Sequence, residues 1–148
     1  MTAVDRRSVA TRFFDRIGDR DVDDAFELAA PGATVRLQGM GITGTMETEG
    51  RAYFEGLARA FPDLYLRRRS TFVSTDGIAV VEITIEGTQA DDFYEIVNIE
   101  KHMDLDQAWL LNIGDDGLIH DAIGYWCELQ LYRRLGVRRL DKVNITAI

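Results

Sequence analysis

Two turn sequences in the second half of the chain constrain the fold most. Ser74-Thr75-Asp76-Gly77 and Gly114-Asp115-Asp116-Gly117 each lie between two runs in which apolar and polar residues alternate. An Asp-Gly step between alternating runs is typical of a β-hairpin, because glycine readily adopts the positive φ of a tight turn. We therefore predict two antiparallel hairpins, with strands over residues 64–73, 78–87, 103–113 and 118–126.

The first half of the chain has helical periodicity instead. Apolar residues recur at intervals of three and four over residues 5–17, 21–30 and 48–61. Asp21 and Thr48 are suitable N-caps for the second and third of these segments. The pattern predicts three helices before the hairpins.

Two shorter elements complete the pattern. Residues 33–38 favour a short strand, and residues 127–135 favour an amphipathic helix with Gly136 as its C-cap. Helices followed by antiparallel strands indicate an α+β fold with the helices on one side of a curved sheet. No linker divides the chain, so we expect a single domain over residues 1–148 that ends in a tail at 137–148.

Charge and composition argue against several classes of protein. The chain has 148 residues and a net charge of -8, and an acidic protein repels the phosphates of nucleic acids. The apolar runs are too short to cross a bilayer, and the charged N-terminal region lacks a signal-peptide core. The single cysteine, Cys127, cannot form an internal disulfide. We expect a cytoplasmic protein with neither a nucleic-acid nor a membrane partner.

Motifs for metals and cofactors are missing from the sequence. The two histidines, His102 and His120, are not paired at a metal-binding spacing, and no cysteine cluster exists. Gly39-x-Gly41-x-x-Gly44 lacks the strand-to-helix context and the lysine of a phosphate-binding loop. We expect neither a metal ion nor an organic cofactor.

Four short motifs carry a resemblance to a known family. In chain order they are Ala60-Phe61-Pro62-Asp63-Leu64, Gly87-Thr88-Gln89, Gly114-Asp115-Asp116-Gly117-Leu118-Ile119 and Leu131-Tyr132-Arg133-Arg134-Leu135-Gly136. Over residues 5–136 their order and spacing resemble the SnoaL-like polyketide cyclases of the NTF2-like superfamily. The resemblance implies a cone-shaped fold, in which a curved, mainly antiparallel sheet wraps three N-terminal helices and a short C-terminal helix follows.

The resemblance also implies an activity. Members of the family close an aromatic polyketide ring by an aldol step without a cofactor, using an aspartate on the last strand and a histidine on its neighbour. The aspartate position falls here on Gly124 and the histidine position on Trp109. A tyrosine of the first helix falls on Phe14, and an asparagine of the first strand falls near Val35. None of these four residues is ionisable, so the family's usual acid–base residues are not carried over.

The second hairpin predicts one wall of a pocket. If Ile113 pairs with Leu118, Trp109 lies opposite Ala122, and Gln107 lies opposite Gly124. Alternation then places six side chains on the inner face: Gln107, Trp109, His120, Ala122, Gly124 and Trp126. Small residues beside two tryptophans favour an apolar pocket for a flat ligand, and the alternative is that the tryptophans fill the interior.

Further pocket residues come from other elements, namely Phe14, Val35, Tyr53 and Phe61. His120, Tyr53 and Asp104 are the candidate proton-transfer groups. Alternation places Asp104 on the outer face, unless a β-bulge reverses that strand.

Two functions stay open at this point. The first is a cofactor-independent cyclase or isomerase of secondary metabolism, which acts on an apolar, polyketide-like substrate by shape and positioning. The second is a non-catalytic module of the same fold for small-molecule binding or oligomerisation. In either case we expect a homodimer that pairs through the outer sheet face, where Thr84 and Glu86 lie.

Overall fold

Three α-helices and two strands precede residue 61, and four further strands and a last α-helix follow. The computed structural model describes residues 3–137, so the predicted tail lies, beyond Val137, outside the described residues. The α-helices are α1 (Arg6–Gly18), α2 (Val22–Phe26), α3 (Arg51–Ala60) and α4 (Glu128–Arg134). The strands are β1 (Ala29–Leu37), β2 (Ile42–Thr45), β3 (Tyr65–Val73), β4 (Ile78–Thr88), β5 (His102–Ile113) and β6 (Ile119–Tyr125).

The six strands form one open sheet in the order β2-β1-β6-β5-β4-β3. Every neighbouring pair is antiparallel except β1 and β6, which are parallel. The sheet is curved, and α1 packs against β3, β4 and β5. The predicted α+β cone is therefore confirmed. Within residues 3–137 no helix is long and apolar enough to cross a lipid bilayer.

Both predicted hairpins form, because their turns are specified locally. Ser74 and Gly77 close the first turn through a backbone hydrogen bond of 3.0 Å, and Gly114 and Gly117 close the second at 3.0 Å. Gly77 and Gly117 have φ values of 84° and 77°, which favour glycine. The alternation in β4 also holds, since its apolar residues Val81, Ile83 and Ile85 are buried.

The second predicted helix is shorter than expected. The segment 21–30 was expected to be helical, but α2 ends at Phe26 and β1 begins at Ala29. The reason is a long-range contact, since Ala29 pairs with Ile119 and the Ile119 amide donates to the Leu28 carbonyl at 2.8 Å. Strand pairing with β6 outweighs the local helical pattern.

The helical segment that ends in α3 begins earlier than expected, at Met46. The cap is Thr45, whose side-chain oxygen accepts a hydrogen bond from the Thr48 amide at 3.2 Å, and not Thr48 itself. One turn of π-helix over Met46–Gly50 then leads into α3. The last helix agrees with prediction, since Leu131 and Leu135 are buried and Gly136 follows with a φ of 82°.

Candidate functional site

Trp109 and Gly124 are direct cross-strand partners on β5 and β6. The register predicted from the sequence differs by two residues, because it placed Trp109 opposite Ala122. A shift of two residues keeps the same face, and Trp109, Ala122 and Gly124 are all buried inside the cone. A Cβ atom added to Gly124 would lie 2.7 Å from the Trp109 ring, so only glycine fits beneath this indole.

The Trp109 indole fills the space that small side chains leave on β6. It is fully buried, with ring centroids 5.8 Å from Phe14 and 5.3 Å from Phe54. The volume expected to open over Gly124 is therefore occupied by tryptophan. At this depth the structure follows the alternative in which the aromatics fill the interior.

A chain of hydrogen bonds leads outward from Trp109. The Trp109 Nε1–H donates to Gln107 Oε1 at 3.0 Å, and the Gln107 amide donates to the Tyr53 hydroxyl oxygen at 2.8 Å. Tyr53 is 2% exposed, and burial raises its pKa far above the usual value. Tyr53 is therefore a neutral hydroxyl at physiological pH.

Trp126 covers Tyr53 on the side toward solvent. The two rings stack with centroids 5.3 Å apart and an interplanar angle of 18°. Trp126 is only half-buried, and its Nε1–H donates to Glu128 Oε1 at 3.2 Å. A Cβ on Gly39 would lie 2.5 Å from the Trp126 Nε1 atom, so glycine lets this turn pass close to the indole.

Glu128 is the perturbed acid of this region. It lies in the first turn of α4, and burial raises the pKa of its carboxyl to about 7, partly opposed by the Trp126 hydrogen bond. Burial and the Glu128 charge raise the pKa of Tyr94 to about 12 and that of Tyr132 upward as well. We call these five residues the Trp126 cluster: Tyr53, Tyr94, Trp126, Glu128 and Tyr132.

Sequence reasoning missed Glu128, Tyr94 and Tyr132 as site residues. A usable signal was present, since Glu128 follows Trp126 by two residues at the start of a predicted helix. Tyr94 could not be placed, because it lies between Phe93 and Ile96 in an irregular segment held by a single β-bridge.

Three other predicted pocket residues lie inside the cone. Val35 is buried on β1 and pairs with Ala122. Phe61 is also buried, but it lies beside Phe93 with ring centroids 5.8 Å apart, whereas Phe14 contacts Trp109.

His120 does not share the inner face with Trp109. The β5–β6 pairing passes from Asn112–Asp121 to Ile113–Ile119, so His120 is the extra residue of a bulge. Its side chain is 46% exposed, and its Nε2 lies 2.9 Å from Oδ2 of Asp116 in the hairpin turn. The expectation that His120 lines the pocket wall is therefore wrong.

Asp104 lies on the outer face of β5, as alternation predicted. Its side chain is 56% exposed and forms an ion pair of 3.0 Å with Arg134. Its neighbour on the same face, Asp106, pairs with Arg69 at 3.2 Å. These contacts fit a solvated face and do not bring Asp104 to the Trp126 cluster.

Metal-binding groups are not assembled in the part of the chain that the structure describes. Among residues 3–137 no three His, Cys, Asp or Glu side chains are grouped around a common point. The Trp126 cluster itself contains one carboxyl group, three phenols and an indole.

Comparison with known proteins agrees with this architecture. The sequence profile of the SnoaL-like domain family matches residues 10–122. No curated protein matches the chain.

Solved structures share the fold at low identity. AclR from Streptomyces galilaeus, a proposed hydroxylase, has a TM-score of 0.76 and 18% identity, with 88% of this chain and 95% of that chain covered. A proposed SnoaL-like polyketide cyclase from Jannaschia sp. CCS1 has a TM-score of 0.73 and 17% identity, with 94% and 99% covered. IdmH from Streptomyces antibioticus, a proposed polyketide cyclase, has a TM-score of 0.73 and 17% identity, with 90% and 99% covered. The profile match spans more than half of the sequence, and the chain belongs to the SnoaL-like domain family.

Proposed function

We propose that this protein is a cofactor-independent, polyketide cyclase-like enzyme that binds an apolar, polyketide-like substrate at the Trp126 cluster. The observation that carries the proposal is the half-buried Trp126 indole, stacked on buried Tyr53 and hydrogen-bonded to Glu128. A flat aromatic surface beside one polar group is typical of sites for planar, weakly polar ligands. Two of the solved structures are named as proposed polyketide cyclases, which supports a cyclase-type activity.

Positioning supplies the first part of the rate gain. A cyclase must hold a flexible chain with its two reacting carbons close together, which removes much of the entropic barrier to ring closure. Trp126 is half-buried, so part of its indole reaches solvent, and burial together with the Glu128 charge raises the pKa of Tyr94 and Tyr132. Partly exposed aromatics can therefore contact a ring while their polar atoms orient a carbonyl.

A non-catalytic binding module is the second candidate, and one observation favours it. Trp109 fills the interior position over Gly124, where the family resemblance places the catalytic aspartate. A protein that has lost this carboxylate keeps a cone and an aromatic surface, and both are sufficient for binding. The two candidates differ in whether a bound carbonyl compound exchanges protons faster.

The experiment uses β-tetralone, a small bicyclic ketone whose α-carbon releases a proton. Deuterium washout from the α-deuterated ketone into buffered water is followed by NMR with and without the protein. We expect saturable acceleration that is lost in Trp126→Ala and retained in Tyr65→Ala, which removes an exposed aromatic on β3. Saturable binding without acceleration would support the binding module. The absence of both binding and acceleration would refute both candidates.

We also propose that two copies pair through the outer sheet face. Cross-strand partners Phe72–Val80, Val80–Leu110 and Leu110–Ile123 place an apolar row across β3, β4, β5 and β6. Phe72 is 54% exposed. Thr84 lies on this face too, but it is buried and donates to Asp106 Oδ1 at 2.7 Å, so the apolar row is the better candidate for the contact.

The cellular setting is a proposal of the same kind. Cys127 is a free, exposed thiol. A reducing compartment preserves such a thiol, which supports a cytoplasmic location.

A further inference from the structure

Glu128 occupies an unusual setting for a carboxylate on a short helix. Its residue is half-buried, and its Oε1 accepts a hydrogen bond from the neutral indole N–H of Trp126 at 3.2 Å. The ion pairs described within residues 3–137 involve other carboxylates. Burial therefore removes water from this carboxyl group, and within residues 3–137 no ion pair with a cationic side chain replaces it.

The titratable groups around Glu128 come from three elements. They are Tyr53 of α3, Tyr94 of the segment before β5, and Tyr132 of α4 itself. Burial raises the pKa of all three, and the Glu128 charge adds to that effect. These hydroxyls stay neutral below about pH 10, the usual limit for a phenol. Glu128 is therefore the group of the Trp126 cluster that changes charge near neutrality.

The raised pKa of about 7 suits a group that both takes and returns a proton. An acid–base residue works best when its pKa lies near the working pH, because both protonation states are then populated. An ordinary surface glutamate is almost fully ionised at neutral pH and is a weak base.

We propose that Glu128 is the catalytic residue that transfers the proton in the reaction at the Trp126 cluster. The assignment rests on the function proposed above. With the substrate ring on Trp126, the Glu128 carboxylate removes a proton from the carbon beside the carbonyl. The electron pair of the broken C–H bond forms the C=C bond of an enolate, and the carbonyl π electrons move to oxygen. After the enolate carbon attacks a second carbonyl, the new alkoxide takes the proton back from Glu128.

Substitutions at position 128 distinguish proton transfer by Glu128 from a purely structural role of this side chain. Glu128→Gln keeps an oxygen that can accept the Trp126 N–H, so it removes the proton transfer and preserves the hydrogen bond. Glu95→Gln is the matched control, because Glu95 is an exposed carboxylate next to Tyr94. Glu128→Asp keeps a carboxylate but withdraws it by one methylene.

The test measures deuterium washout from α-deuterated β-tetralone over a range of pH. For the wild type, we expect the rate at saturation to rise with pH through an apparent pKa of about 7 and then level off. Glu128→Gln should lower that rate by about 100-fold or more, with little change in the half-saturating concentration. Glu95→Gln should match the wild type, and Glu128→Asp should lower the rate while keeping the shape of the pH profile.

The outcomes distinguish a wrong assignment of Glu128 from a wrong proposed function. An active wild type with an equally active Glu128→Gln variant would overturn the assignment and leave the proposed function standing. A wild type that gives no acceleration would overturn the proposed function and the assignment together. If Glu128→Gln does not fold by circular dichroism, an unchanged rate in folded Glu128→Asp would overturn the assignment.

Discussion

The indole of Trp109 lies directly over the α-carbon of Gly124, on the neighbouring strand. A Cβ atom on Gly124 would stand 2.7 Å from the ring, well inside van der Waals contact. Family resemblance places a catalytic aspartate at this position, and here the position has no room for any side chain while Trp109 keeps its place. The reaction proposed above therefore needs another group for proton transfer, and our proposal assigns that role to half-buried Glu128, which accepts the Trp126 N–H.

Gly124→Ala should destabilise the fold by about 1–3 kcal/mol, because Trp109 is fully buried and packs against Phe14 and Phe54. Urea unfolding measures the loss. Gly56→Ala in α3 is the control, because its added Cβ would lie 3.8 Å from Phe93, an ordinary contact. That variant should gain up to about 1 kcal/mol from helix propensity. Equal stability of the wild type and Gly124→Ala would show that Trp109 is not held against β6.

Tyr53→Phe should cost about 1–3 kcal/mol of folding free energy, because it leaves the buried Gln107 amide without its acceptor. Chemical denaturation of the variant beside Tyr65→Phe provides the comparison. Tyr65 is 60% exposed, so removal of its hydroxyl should change stability by less than about 0.5 kcal/mol. A neutral Tyr53→Phe variant would mean that the Trp109–Gln107–Tyr53 chain does not stabilise the fold.

The pH dependence of stability should differ between the wild type and Glu128→Gln. The carboxyl pKa is raised from 4.5 to about 7 on folding. Between these pH values the folded state therefore retains a proton that the unfolded chain releases. Stability of the wild type relative to the variant should therefore fall as pH rises from 4.5 to about 7, and stay constant above. Allowing for solvent contact, the change should be about 2 kcal/mol.

Urea titrations at closely spaced pH values measure this difference directly. Subtraction of the variant removes the contribution of every other titrating group. A difference that does not vary across this range would show that Glu128 titrates like an exposed glutamate.

Leu110→Glu should convert the proposed dimer to a monomer, because it places a charge in the middle of the apolar row on the outer face. Asn112→Glu is the control, since Asn112 is an exposed polar residue on the same strand. Light scattering over a range of concentrations measures the mass. A monomeric wild type would contradict the dimer proposal.

Local signals in the sequence specified the hairpins and the helix faces. Gly77 and Gly117 favour their turns through the positive φ that glycine readily adopts, and this signal is visible in the local sequence. The end of α2 was not predictable in this way, because the pairing of Ala29 with Ile119 joins residues far apart in sequence.

The candidate site was predictable only in part for the same reason, because local patterns are visible in the sequence and long-range contacts are not. Parity along β5 and β6 placed Trp109 and Gly124 on the inner face, but a bulge at His120 broke the alternation, and no residue type marks such a bulge. The Trp126 cluster combines α3, α4 and an irregular segment, so its members meet only through tertiary packing. The burial that raises the pKa of Glu128 is likewise a property of the folded chain.

The most direct test of the account is the location of a bound ligand. The chain has two tryptophans, so the indole N–H region of a ¹H–¹⁵N spectrum should contain two signals, which Trp126→Phe would assign. On titration with β-tetralone, we expect the Trp126 signal to shift and saturate while the signal of buried Trp109 changes little. A shift of Trp109 alone, or no shift of either signal up to the solubility limit of the ketone, would contradict binding at the Trp126 cluster.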